Sequence, residues 1–256
     1  MTIKLMFSKT VQNSKEILHF IKEFNSDLGT IFGNGDRNII KLFDLDGQLI
    51  NIKSFKIPNI INKIAYKHFR KSKAKRSFEY ATILLEKGVG TPKPLAYFEN
   101  FNSLGLRDSY YVSEHLETEL TFRELVEIPD YPDHEKILRQ FTKFSFDLHE
   151  KGIEFLDHSP GNTLIKKNTD GNYDFFLVDL NRMNFHEGID FDLRMKNMSR
   201  LTPQKEMIAI MSDEYAKYYR QPANFIFEKM WSASQNFQEN FAKKKRLKNK
   251  LKFWKF

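Results

Sequence analysis

Asp157, Asn162 and Asp179 are the residues of this chain whose types and spacing can do chemistry. Asp157 and Asn162 stand five apart in Glu154-Phe155-Leu156-Asp157-His158-Ser159-Pro160-Gly161-Asn162, which reads as a rigid loop. Asp179 closes an apolar run, Phe176-Leu177-Val178. Together they form the donor set that metal-dependent phosphoryl transfer needs. Asp157 would accept the proton of an acceptor hydroxyl, while Asn162 and Asp179 would hold Mg²⁺ on a triphosphate. An isolated Asp-x-x-x-x-Asn occurs by chance in most proteins, so the surrounding elements must decide.

Those elements follow from periodicity. Apolar residues at Ile137, Leu138, Phe141, Phe144 and Leu148 predict a helix from about Asp133 to Lys151, closed by Gly152 immediately before the loop. Thr163 to Lys166 and Tyr173 to Val178 predict a hairpin whose second strand delivers Asp179. Earlier in the chain, residues 11–26 predict a helix with Ser14 as its cap. From Thr30 to Phe55 the period shortens to that of three strands joined by turns at Gly33-Asn34-Gly35 and Asp46-Gly47. Gly33 and Gly35 could let that turn cover a nucleotide, although a plain hairpin satisfies the same two glycines. Lys53 lies mid-strand and could reach nucleotide phosphates; an edge-strand lysine pointing to water has the same sequence, and Lys56 is the rival cation. Residues 59–87 predict a helix broken near Ser72, rich in Lys and Arg before Glu79. Two further strands, Leu95 to Glu99 and Ser109 to Leu116, precede the long helix. The stretch from Ser113 to Leu116, with Glu114, is the expected connection between two lobes, its backbone meeting an adenine edge.

Composition narrows the class. The chain has 256 residues, 41% hydrophobic and 29% charged, enough for two lobes with real cores. With no cysteine, it has no disulfide, thiolate metal site or cysteine nucleophile, which suits a reducing compartment. The apolar start is too short for a secretory signal, so a cytoplasmic protein is expected. The net charge of +8 belongs to the end of the chain: Lys243, Lys244, Lys245, Arg246, Lys248, Lys250, Lys252 and Lys255 carry all of it. Nucleic-acid binding by the body is therefore not expected. In the tail, Leu247, Leu251 and Trp254 share one helical face among the lysines, with Phe253 and Phe256 nearby. Adsorption to an anionic membrane surface and an unstructured basic terminus both fit this pattern. His149 and His158 read as structural histidines, since no spacing here resembles a zinc site.

Leu148-His149-x-x-Gly152-Ile153, Asp157-x-x-x-x-Asn162 and Val178-Asp179 resemble the catalytic helix, catalytic loop and metal-binding aspartate of protein-kinase-like phosphotransferases. With Asn51 to Phe55, Ser72 to Glu79, Thr91-Pro92-Lys93-Pro94 and Val178 to Met183, the pattern is similar to the bacterial lipopolysaccharide kinase family, whose members phosphorylate Kdo or heptose in the inner core. The likeness runs from about Ile31 to Phe185. It implies an α+β, bilobal protein-kinase-like fold: an N-lobe over residues 1–113 built on an antiparallel sheet and a helix, a mainly helical C-lobe over 114–242, and a tail over 243–256.

The resemblance also implies roles. ATP and Mg²⁺ are the cofactors, Asp157 is catalytic, and Asn162 and Asp179 bind the metal. Lys53, paired with Glu79, contacts the phosphates; Gly33, Gly35 and Glu114 complete the nucleotide contacts. The implied partner is a Kdo-containing lipid A or inner-core lipopolysaccharide, with the tail at the cytoplasmic face of the inner membrane. A kinase of another small molecule or of protein, and a non-catalytic nucleotide-binding pseudokinase, are the alternatives. The chain departs from the wider superfamily at Phe155, where the loop histidine is missing, at Leu180 and Asn181 after the metal-binding aspartate, and in lacking an Ala-Pro-Glu element.

Overall fold

Either side of Asp46-Gly47, apolar and polar residues alternate at the period that buries one face of a strand. The computed structural model, which describes residues 2–33, 38–56, 59, 63, 65, 66 and 69–253, forms β3 (Asn38–Leu45) and β4 (Gln48–Phe55) there as an antiparallel pair. Asp46 and Gly47 take φ of 54° and 84°, the left-handed conformation that a two-residue hairpin turn requires at both positions. Ile50 and Ile52 are buried on one face; Asn51, Lys53 and the buried Phe55 lie on the other.

The chain forms two compact units. The first holds the residues up to Glu117 together with Leu177–Arg182; the second holds Thr118–Phe176 and Met183 onward. In the first unit β1 (Thr2–Phe7), β2 (Thr30–Ile31), β5 (Pro94–Asn102) and β6 (Gly105–Glu114) join the hairpin in one antiparallel sheet of order β1-β5-β6-β4-β3-β2. Helix α1 (Ser14–Lys22) buries Ile17, Phe20 and Ile21 in a cluster with Phe43, Ile50, Ile52, Tyr110 and Val112. Helix α2 (Lys73–Glu86) packs Ala74 and Phe78 with Phe55 and Tyr97. Its N-terminus is satisfied by Ser72, whose side chain accepts from the Lys75 amide.

One sequence expectation changes here, one strand is new, and part of the expected N-terminal pattern lies outside the described residues. The short apolar start of the chain is strand β1. It is an edge strand pairing with β5 and exposed along most of its length, so it has no burial pattern to betray it. The cap of α1 is Asn13 and not Ser14, and it makes no side-chain cap bond, because its amide is turned to the Asp46 carboxylate. Gly35 and residues 60–62, 64, 67 and 68 of the expected helix lie outside the described residues.

The second unit is mainly helical. Its helices are α3 (Phe122–Glu127), α4 (His134–Glu150), α5 (Phe191–Met198), α6 (Lys205–Ala216) and α7 (Ala223–Phe253). Strands β7 (Leu120–Thr121), β9 (Thr163–Lys167) and β10 (Tyr173–Leu177) form one small sheet; β8 (Ile153–Phe155) and β11 (Met183–Phe185) form another. The core gathers Ile137, Leu138 and Phe141 of α4 with Phe122, Phe175, Met211, Tyr215 and Ile226. The Phe122 and Phe141 rings lie 4.2 Å apart between centroids. Burying each such side chain stabilises by roughly 1.5–3 kcal/mol. Thr121 and Glu124 cap α3 reciprocally. As far as Phe253 the basic run continues α7, a single helix whose earlier turns bury Ile226 and Met230 in this core; Trp254, Lys255 and Phe256 lie outside the described residues.

Candidate active site

In the first unit Asp179 departs from ordinary backbone geometry. Its φ of 58° is left-handed, a conformation that costs a non-glycine residue roughly 1–3 kcal/mol and that clusters at functional sites. The segment before it is pinned by the Leu177 amide, which donates to Gly90 O at 2.9 Å, and by the Thr91 hydroxyl, which donates to Leu177 O at 2.8 Å. The carboxylate Oδ1 accepts two bonds, from Lys53 Nζ at 2.8 Å and from Asn181 Nδ2 at 2.8 Å. Lys53 is not on an edge: β4 runs between β3 and β6, and the side chain is 15% exposed. Lys56, its rival, is exposed just beyond the strand.

The expected Lys53–Glu79 pair is not formed. Glu79 takes Lys71 at 2.8 Å and Lys75, one helical turn before it, at 4.0 Å. Those neighbouring cations satisfy the glutamate locally, and Lys53 turns to Asp179. Gly33 adopts a φ of 80°, and a Cβ there would meet nothing within 4 Å. Beside it the Phe32 ring meets the His115 ring edge-on, with centroids 5.2 Å apart, so the end of this hairpin reaches the stretch after β6. Within that stretch the Glu114 amide donates to Lys93 O, and the His115 amide donates to Leu49 O. The Glu114 carboxylate lies 3.4 Å from Lys93 Nζ.

In the second unit the loop after β8 turns at Pro160–Asn162, a single 3₁₀ turn. Asn162 Nδ2 donates to Asp157 O at 2.8 Å, which commits the amide nitrogen and leaves Oδ1 as the side chain's acceptor oxygen. The Asp157 carboxylate accepts from Arg200 Nη1 at 2.8 Å. Sequence reasoning missed Arg200, which lies 43 residues downstream with no local spacing to mark it. Phe155, where the superfamily has histidine, is fully buried, and its carbonyl accepts from Asn197 Nδ2 at 2.9 Å. Amide and carboxylate oxygens, such as those of Asn162 in the second unit and Asp179 in the first, are hard donors of the type Mg²⁺ prefers. Among the described residues no group of three or more His, Cys, Asp or Glu forms an all-protein metal cage.

His149 and His158 are fully buried. His149 lies between Tyr215 OH at 2.9 Å and Asn197 Oδ1 at 3.3 Å. His158 is wedged between the Phe141 and Phe155 rings, and neither ring nitrogen has a well-formed hydrogen bond, although the nearby Asn197 side chain favours its charged form. Burial, the dominant cause, pushes His149 down to about 3 and His158 down to about 4. The unfolded chain takes up these protons near pH 6.5, whereas the folded chain resists them until pH 4 or below. Folding stability is therefore fully present above about pH 6.5 and falls as pH drops through the window, by about 1.4 kcal/mol per pH unit for each histidine. Urea unfolding at pH 7.5 and pH 5.0 checks this. Equal or greater stability at pH 5.0 would contradict neutral, buried histidines.

No curated protein sequence matches the chain. A solved structure described as WaaP in complex with acyl carrier protein aligns with 94% of this chain and 98% of its own, at 15% identity and a TM-score of 0.62. That likeness is one of fold. A crystal structure of a Stt7 homolog from Micromonas algae, soaked with ATP, aligns with 61% of this chain and 49% of its own, at 14% identity and a TM-score of 0.42. The family model for lipopolysaccharide kinases (Kdo/WaaP) matches residues 55–220 and so takes in Asp157, Asn162 and Asp179. The chain, protein-kinase-like in fold, belongs to the lipopolysaccharide kinase (Kdo/WaaP) family and is an ATP-dependent kinase.

Proposed function

We infer that the enzyme transfers the γ-phosphoryl group of ATP to a sugar hydroxyl of the lipopolysaccharide inner core, with Kdo as the acceptor. Asp157 takes the proton of the attacking hydroxyl. Lys53 contacts the phosphates, and the backbone from Ser113 to Leu116, with Gly33 and Gly35, lines the nucleotide. Asn162 and Asp179 are the residues that would hold Mg²⁺, which would supply charge neutralisation on the phosphates. Glu79 is left with an indirect part, balancing the cations of α2.

The observation that carries the anionic acceptor is a knot of arginines in the first unit. The Arg76 guanidinium is half-buried; burial and the neighbouring charges of Arg70 and Arg182 hold its pKa below the ordinary value, against a smaller opposing influence of Tyr66 and Tyr80. Arg70 and Arg182 are exposed beside it, and like charges brought together in this way favour an anion among them. Mass spectrometry of lipid A-core from cells carrying wild-type enzyme or Asp157→Asn tests the acceptor. The variant should leave the Kdo region lighter by one phosphate. An unchanged Kdo region with phosphate missing elsewhere would reassign the acceptor.

The basic end of α7 favours a second part of the reading, contact with the anionic cytoplasmic face of the inner membrane. No helix of the described residues is long and apolar enough to cross a membrane. Phe241 and Leu247 are 58% and 60% exposed among the lysines, a surface that suits adsorption to anionic lipid. Reversing Lys243, Lys244 and Lys245 to Glu should abolish co-sedimentation with phosphatidylglycerol vesicles at low salt. Equal sedimentation of the reversed variant would remove the membrane assignment. Capture of acyl carrier protein in place of vesicles would give this helix a protein partner instead.

A further inference from the structure

Three consecutive residues at the entry to the loop, Phe155, Leu156 and Asp157, are each held from the end of α5. Asn197 Nδ2 donates to Phe155 O at 2.9 Å. Arg200 Nη1 donates to Leu156 O at 2.8 Å and also to Asp157 Oδ1 at 2.8 Å. Asn197 and Arg200 are three apart across a helical end, the spacing that puts two side chains on one side. Ser199, between them, keeps helical geometry at φ −61° and ψ −17°.

Both grips are themselves braced. Asn197 Oδ1 faces His149 Nε2, and His149 Nδ1 faces Tyr215 OH, a buried chain that fixes the amide in one orientation. The Arg200 guanidinium stacks over Phe237 of α7, 5.4 Å from its centroid. Its Nε is buried without a hydrogen-bond partner. Leaving a donor unpaired is unfavourable, so satisfying its own donors is not what sets the arginine's position. Its position is instead dictated by Nη1, the one nitrogen that joins the loop backbone to the carboxylate.

We propose that Arg200 is a positioning residue for phosphoryl transfer: it fixes the rotation of the Asp157 carboxylate relative to the loop backbone, a role that rests on the reading of Asp157 as proton acceptor. Asn197 complements it by anchoring the position where the superfamily carries a histidine, so the anchor absent at Phe155 is supplied through the backbone. A base free to rotate spends less time aligned with the acceptor hydroxyl. The loss therefore falls on turnover and not on nucleotide binding.

The test measures kcat and KM for ATP by transfer of radiolabelled phosphate to lipopolysaccharide extracted from cells lacking the enzyme. Arg200→Met should lower kcat by about 30- to 100-fold with KM for ATP within about twofold. Arg200→Lys, which keeps the charge without the planar fork, should fall between Met and wild type. In Arg200→Ala, millimolar guanidinium should restore turnover several-fold, while sodium chloride at equal ionic strength should not. If the Met and Ala variants fail to fold, Arg200→Lys decides: a folded protein with wild-type kcat overturns the proposal. So does Arg200→Met within twofold of wild type. If Asp157→Asn stays active, the underlying reading fails; if Asp157→Asn is inactive and Arg200→Met is not, only the positioning role fails.

Discussion

Asp157→Asn is expected to lower kcat by about two to four orders of magnitude, the range a positioned general base supplies. Asparagine has nearly the same shape, and its carbonyl oxygen can still accept from Arg200, which bonds Oδ1 in the wild type. The loop backbone is held independently, by Asn162 on Asp157 O and by Arg200 on Leu156 O. What disappears is the ability to take a proton. Single-turnover phosphate transfer should therefore collapse while KM for ATP and the melting temperature stay close to wild type. Retention of more than a tenth of wild-type kcat would remove the base role from Asp157 and favour the pseudokinase alternative.

The largest stability effect is expected at Gly152. This residue ends α4 with a φ of +71°, and an added Cβ would lie 2.0 Å from the backbone oxygen of His186. Left-handed geometry alone costs a side chain roughly 1–3 kcal/mol, and overpacking against immobile backbone adds a similar amount. The neighbour cannot yield easily, because the His186 amide donates to Gly152 O at 2.8 Å and its ring meets Glu154 at 2.9 Å. Gly152→Ala should thus destabilise by about 3–5 kcal/mol, enough to leave many domains largely unfolded. Gly171→Ala has a similar φ of +75° but nothing within 4 Å, so it isolates the backbone share and should cost much less. Equal melting temperatures for the two variants would refute the steric account.

How much of this was legible in the sequence depended on distance along the chain. Helix α4, Gly152 and the loop to Asn162 are contiguous, and their apolar period and turn residues declare them. Lys53 was visible as a mid-strand lysine, but only the sheet order makes β4 an interior strand and removes the edge reading. Glu79 was misassigned because spacing cannot rank competing cations, and Lys71 and Lys75 are the ones in reach. Arg200 and Asn197 act on residues about 42 to 44 positions earlier, where no periodicity connects donor and acceptor. The left-handed Asp179 likewise follows from how its segment is pinned to Gly90 and Thr91, not from its own residue type.

Helix α7 makes the basic end of the chain a lever and not a tether. Its 31 residues span about 46 Å at 1.5 Å per residue, and the first turns are anchored by Ile226 and Met230. A flexible tail of the same composition would raise local concentration at a charged surface and leave the attached unit free to tumble. A rigid one transmits direction. Any surface that grips Lys243 to Lys250 also fixes the heading of the unit from which the helix grows. Phe237, the ring beneath Arg200, belongs to the same rod.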